Sequence, residues 1–465
     1  MEKIDSITFK KIITNAGIAF IGLSTKESMN YMPYGCKIRD NLYSKAMDLL
    51  NKGNYEKVIL SDFVNPELLV NIDQVSKISG GYMKIKDHNL MIAAGHEVNA
   101  YNYFKELLKN NYDIKLPLRI YNFGPVFRDN KNTKFPFNLG ERKSFLECYA
   151  IFKTTEEAER ELDFATNWNR KVIRDTFHIP SVEVIRPVST NKKISKRTIC
   201  LDSITPLDET VITGMTYFHN DIFTRALDLK YKDQVLNKNK ITYSVHFGLS
   251  ENILFSYLLN SCDGENLRLL SFIAPIQVSV VNAVNNNNYK NVASTIVKKL
   301  ETKGIKCQLV DISRNKISSN VKNNRLKGIP ITLIIKNEFD KLELHLQHFD
   351  ESDLFETENN KVDYKNLLNK INELLEINDQ TIINDMQQRE KETIVECDDI
   401  TKLNNLLEDG KVVKVHLLHN EDSVHNIESK ISCGEVLGFS PYKEKGKDIL
   451  TNDDVENVAY ISRRS

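Results

Sequence analysis

Two charged side chains, Arg128 and Glu147, stand in the part of this chain best suited to chemistry. The stretch Leu116 to Phe152 reads LPLRIYNFGPVFRDN, then KNTKFPFNLGERKS, then FLECYAIF. Its first and last parts are rich in β-branched and aromatic residues at strand length, and the polar part between them carries Pro136 and Gly140. The pattern predicts two antiparallel strands joined by a long loop. Arg128 falls near the end of the first strand and Glu147 near the start of the second. An arginine so placed can grip a phosphate through a planar, charge-assisted fork. On the residues alone, an edge arginine in a surface ion pair stands level with that reading.

The elements that must position these residues are set by a chain of 465 residues, long enough for about three domains. A hydrophobic fraction of 41% and a charged fraction of 27% suit a globular protein with a sizeable core. The formal net charge is zero, so no global field argues for a nucleic-acid partner, although a local basic face stays open. The seven cysteines include no CxxC pair and no disulfide-like spacing, which points to a reducing, cytoplasmic setting. Ile12 to Leu23 is apolar but too short and interrupted to span a bilayer, and acidic Glu2 and Asp5 argue against a leader peptide, so no membrane partner is expected. The run Asn285 to Asn288 reads as compositional bias.

Along the chain, Ile38 to Leu50 has apolar residues at helical spacing, Lys57 to Leu60 reads as a short strand, and a helix is expected from Asn99 to Leu108. Thr154 and Glu157 form a capping-box pattern ahead of an amphipathic helix reaching about Phe177. Ser181 to Val188, Arg197 to Ser203 and Ile241 to Phe247 read as strands, and Asn220 to Leu229 and Asn252 to Leu259 as helices. This first part is expected to be α+β, an antiparallel sheet flanked by helices. After Ile273 strands alternate with helices, which predicts a small α/β domain with a largely parallel sheet. Asp379 to Glu392 reads as a connecting helix and Val412 to Leu418 as a strand of a third, small α/β unit. The expected partition is residues 1–272, 273–378 and 379–465.

The order of these parts resembles a class II aminoacyl-tRNA synthetase, and within that class prolyl-tRNA synthetase of the archaeal and eukaryotic type. Pro33 and Gly35 lie where the family's first motif begins, LPLRIYNFGPVFR matches its second-motif strand, and HFGLSENILFSYLL, His246 to Leu259, aligns on its third motif. IAPIQVSVV and KGIPITLII resemble strands of the anticodon-binding domain. The resemblance implies a catalytic domain, an anticodon-binding domain and a C-terminal extension. It also implies a homodimer built around the Pro33 region, ATP with Mg²⁺, proline or an analogue as amino acid, and tRNA as acceptor. It carries an ATP-binding role to Arg128, with Arg142, Lys143 and Gly248 beside it, and a catalytic role to Arg128 and Glu147. It carries amino-acid binding to Glu97, Thr216 and His219, the last read on the residues alone as a surface or satisfied core histidine.

Several family positions are lost. The third-motif arginine falls on Asn252, the acidic residue after the second-motif arginine on Asn130, the threonine of the Thr-x-Glu motif on Gly95, and an anticodon-domain arginine on Thr332. Asparagine cannot replace a guanidinium fork. Of the four zinc cysteines the family's extension often carries, only Cys397 and Cys433 remain in the region, beside His416, His419 and His425, so no zinc is expected. Two readings stay open: a divergent ligase with impaired or altered amino-acid activation, and a non-catalytic paralogue that binds tRNA or a protein partner.

Overall fold

The computed structural model describes all residues except 1–3, 26–27, 77–80, 111–113, 131–132, 138, 188–193, 234, 285–286, 314–315, 339–340, 350 and 465. Val188 and part of the asparagine run therefore lie outside the described residues. The chain forms two compact units, one of Met1–Lys45 with Leu258–Gln388 and the other of Ala46–Tyr257 with Arg389–Ser465.

The second unit is built on an eleven-stranded sheet. In chain order its strands are β1 (Glu56–Val58), β2 (Leu118–Phe127), β3 (Glu141–Phe152), β4 (Ser181–Ile185), β5 (Arg197–Ile204), β6 (Thr210–Asn220), β7 (Tyr243–Leu249), β8 (Ile394–Glu396), β9 (Val412–His416), β10 (Glu435–Phe439) and β11 (Val458–Ser462). Across the sheet the order is β8-β9-β11-β10-β4-β5-β6-β7-β3-β2-β1. Every neighbouring pair is antiparallel except β1 with β2 and β8 with β9. The expected pair of long strands is β2 and β3, in a register that sets Asn122 opposite Glu147 and Phe127 opposite Glu141. β7 lies on the other side of β3, with Gly248 opposite Glu147. A Cβ at position 248 would sit 2.0 Å from the Leu146 carbonyl oxygen, so only glycine lets these strands close up there.

Helix Thr155–Arg170, here α1, covers one face of the sheet. Its capping box forms as the sequence predicts, and Trp168 packs on Phe247 with ring centres 5.4 Å apart. The stretch Asn220 to Leu229 is not the helix expected. Only Ile222–Ala226 is helical, because Asn220 and Asp228 both take left-handed backbone angles that end it. The C-terminal strands do not stand apart. Val412 and Leu437 share a buried cluster with Val184 and Cys200, and β10 adjoins β4 at Phe439 and Ile185. Arg186, buried after β4, forks onto Asp202 of β5 at 2.7 and 2.6 Å and donates to the Leu437 carbonyl on β10.

In the other unit, helix Pro33–Asn51 opens at Pro33, and a Cβ at Gly35 would meet the Ile18 carbonyl oxygen at 2.1 Å. A five-stranded sheet follows, made of Val278–Asn282, Cys307–Asp311, Ile331–Glu338, Lys341–His348 and Glu351–Phe355. The first three strands are parallel, but Lys341–His348 and Glu351–Phe355 add on antiparallel, so only half of this sheet is parallel. The hairpin Ile331–His348 reverses after strand ends too close for a crossover helix. Thr332 is buried, and its hydroxyl accepts from Asn324 Nδ2 at 3.1 Å. Helix Tyr364–Thr393 runs unbroken through position 378, so the expected connecting helix is its second half. No helix among the described residues is long and apolar enough to cross a membrane.

Removing one partner of a buried ion pair strands the other charge, at a cost of about 3–5 kcal/mol, whereas an apolar replacement of both is nearly neutral. Denaturant unfolding should therefore show Asp202→Ala strongly destabilised and the double variant Arg186→Met, Asp202→Leu recovering most of the loss. Equal losses in the two would contradict the Arg186–Asp202 pairing.

Candidate active site

Helix Glu97–Asn110, here α2, begins directly after the triplet Gly95-His96-Glu97, and this junction meets the sheet at β3. His96 is fully buried. Its backbone N–H donates to Glu147 Oε1 at 3.2 Å and its ring Nδ1 lies 2.6 Å from Glu147 Oε2, while Nε2 lies 3.2 Å from Asp62 Oδ1. Burial opposes charge on His96, but Glu147, helped by Asp62, outweighs it and raises the imidazole to about 9. Burial likewise opposes charge on Glu147, and His96 outweighs it, holding the carboxyl below its ordinary value. The pair is thus imidazolium and carboxylate at neutral pH. The sequence pattern singled out Gly95 and Glu97 of this triplet and gave no role to His96 between them. The missed signal was a histidine flanked by glycine and glutamate at a helix start, where a buried cation needs a buried anion.

A cavity opens over this pair. Its lining includes Glu97, Arg128, Arg142, Glu147, Gly248 and Asn252. Arg128 donates through Nε to the Ala94 carbonyl at 2.9 Å, and its guanidinium lies over Phe145, 5.3 Å from the ring centre. These contacts fix the plane of the fork and leave its two terminal amino groups without a hydrogen bond among the described residues. Arg142 is buried in β3 and lines the same space. Lys143 is turned elsewhere, its ammonium 2.6 Å from Glu141 Oε1. Asn252 spends its amide on the Ile212 carbonyl of β6 at 3.0 Å. A Cβ at Gly95 would stand 2.4 Å from Glu97 Oε2, so a threonine there requires the carboxylate to rotate. Asn130 lies outside the lining, with its amide 3.5 Å from the Leu139 carbonyl.

Two expected amino-acid ligands do not reach this space. Thr216 faces α1, where its hydroxyl accepts from Asn169 Nδ2 at 2.9 Å. His219 is buried among Tyr101, Tyr217, Phe223 and His246, with Nδ1 donating to the Ile194 carbonyl at 2.7 Å. Burial, and then the neighbouring His246, lower it to about 3, so it stays neutral. On β6 the residues lining the cavity are Val211, Ile212, Thr213, Met215 and Tyr217, so the expected Thr216 falls between two of them and faces the other way. In the C-terminal region, Cys397 donates to the Asp399 carbonyl and His419 stacks on Phe439, 4.0 Å between ring centres.

Replacing His96 by leucine leaves Glu147 buried with its cation gone. Thermal unfolding should show a loss of about 3–5 kcal/mol, and the double variant His96→Leu, Glu147→Met should recover a large part of it. A single variant as stable as the parent would contradict the ion pair.

Comparison with known proteins places this geometry. The profile of the anticodon binding domain matches residues 277–374. The proline--tRNA ligase of Methanococcus aeolicus is 25% identical over 453 residues, covering 94% of this chain and 96% of that protein. The fold matches Giardia lamblia prolyl-tRNA synthetase, solved with prolyl-adenylate, with a TM-score of 0.88 at 15% identity over 99% of this chain and 98% of that one. It also matches the Cryptosporidium parvum enzyme complexed with halofuginone and AMPPNP, with a TM-score of 0.86 at 16% identity over 100% of this chain and 99% of that one. With an α+β fold and a sequence likeness that runs nearly its whole length, the chain is of the class II prolyl-tRNA synthetase type.

Proposed function

We propose that this protein binds ATP and an amino acid of the proline class in the cavity over Glu147 and joins them with an altered phosphate grip. The observation that carries the reading is a second cation in the lining: Arg142 stands in the same cavity as Arg128 and Asn252. The resemblance expects an arginine at 252, and the asparagine there is tied to the Ile212 carbonyl. In the reaction a carboxylate oxygen of the amino acid attacks the α-phosphorus of ATP and pyrophosphate leaves. Charge builds on phosphate oxygens, and fixed donors aimed at them lower the barrier. The free end of the Arg128 fork serves the α-phosphate. Glu97 offers its carboxylate to the substrate ammonium. Arg142 takes part of the charge that position 252 no longer meets.

Magnesium takes oxygen ligands, keeps several waters, and is held by one or two carboxylates together with substrate phosphates. The converging ligand group here, Glu97, Glu147 and His246, includes an imidazole, so the donor set does not fit that ion. We further propose transfer of the activated residue to tRNA or another acceptor, and a homodimer formed through the Pro33 region. The family match over residues 277–374 supports a tRNA acceptor, although buried Thr332 offers no cation there. The second reading, a non-catalytic paralogue, draws on the lost family positions Asn130, Gly95, Thr332 and above all Asn252.

Amino-acid-dependent ATP–pyrophosphate exchange, run on each standard amino acid, tests the proposal. Exchange with proline or an analogue should fall about 100-fold or more in Arg128→Ala and at least about tenfold in Arg142→Gln. Asn252→Arg should raise it. No exchange with any amino acid, from folded protein that fails to bind ATP, would leave the paralogue reading.

A further inference from the structure

The geometry points to a binding site for a borderline divalent metal ion of the zinc kind, formed by Glu97, Glu147 and His246. One ligand atom from each of the three lies within 4.8 Å of the others, the one such group of metal-ligand side chains found among the described residues. Two atoms on one zinc ion are at most about 4.2 Å apart, twice a bond of about 2.1 Å, so a small rotation of a carboxylate closes the set. A second observation is independent of the carboxylates. His246 is 5% exposed, and its Nδ1 is buried with no hydrogen-bond partner. That nitrogen lies 3.9 Å from Glu97 Oε1, too far for a hydrogen bond and close to the spacing of two ligands on one ion.

The rest of the environment suits the same reading. The His246 ring is held by stacking on Tyr149 and Tyr217, with centres 4.5 and 5.6 Å away, so Nδ1 has a fixed direction. Glu147 is held by His96 through both its oxygens, the kind of outer support that orients ligating carboxylates. Two oxygens and one imidazole nitrogen select an ion of zinc type over magnesium or calcium. Three protein ligands leave a fourth position open, and all three residues line the cavity, so the open position faces substrate space. This site does not rest on amino-acid activation, since metal binding would stand if no ATP bound; with the metal in place Glu97 is a ligand, and an incoming amine meets the open position on the ion in place of the carboxylate.

The test uses the full chain, stripped with a chelator and titrated with zinc chloride in a calorimeter, with metal content read by elemental analysis. Cobalt(II) supplies a spectrum that reports nitrogen and oxygen ligands without thiolate charge-transfer bands. The expected result is one zinc per chain, bound at least about tenfold more weakly in His246→Ala and in Glu97→Gln. Affinity should be unchanged in Cys397→Ser, Cys433→Ser. Glu97 is partly exposed, so its variant separates lost ligation from misfolding, which thermal unfolding checks. Absence of zinc binding would overturn the site, as would binding that survives both ligand variants or disappears only with the cysteines.

Discussion

The buried contact between His96 and Glu147 ties this unit's chemistry to its fold. Neither group can be left alone in the interior, so each holds the other in place. His96 belongs to the turn that starts α2, and Glu147 to the middle of β3. Their 2.6 Å contact therefore seats a helix start on a strand and brings Glu97, one residue on, to the rim of the cavity. The same carboxylate lies opposite Gly248, where the missing side chain lets β7 come close. The cavity lining holds two carboxylates, Glu97 and Glu147, and two guanidinium groups, Arg128 and Arg142.

Charges of both signs in one cavity suit a substrate that carries both an ammonium and phosphates. A phosphate grip depends on direction as much as on charge, and Arg128 is directed by the Ala94 carbonyl behind it and Phe145 beneath it. Asn252 shows the opposite economy. Its amide closes a structural bond to β6, so the position contributes shape where the family contributes charge.

The hairpin of β2 and β3, the capping box of α1 and the alternation of strands and helices after Ile273 were legible in the sequence because they rest on local periodicity and on residues close in the chain. The placement of Arg128 and Glu97 in one cavity was legible only through the family resemblance. Two kinds of feature were not. The first was register: on β6 a bulge and a one-residue offset decide that Tyr217, and not Thr216, meets the cavity. The second was long-range pairing. Nothing local in the sequence says that Arg186 will reach Asp202 and Leu437, or that the C-terminal strands will extend the large sheet past β4.

The central claim is that one cavity holds both ends of an aminoacyl-adenylate, the ammonium by Glu97 and the phosphate by Arg128. Calorimetric titration with a non-hydrolysable prolyl-adenylate analogue tests it most directly. The account predicts one molecule bound per chain, weakened separately by Glu97→Gln and by Arg128→Ala. An analogue that fails to bind the folded protein, or that binds both variants as well as the parent, would contradict it.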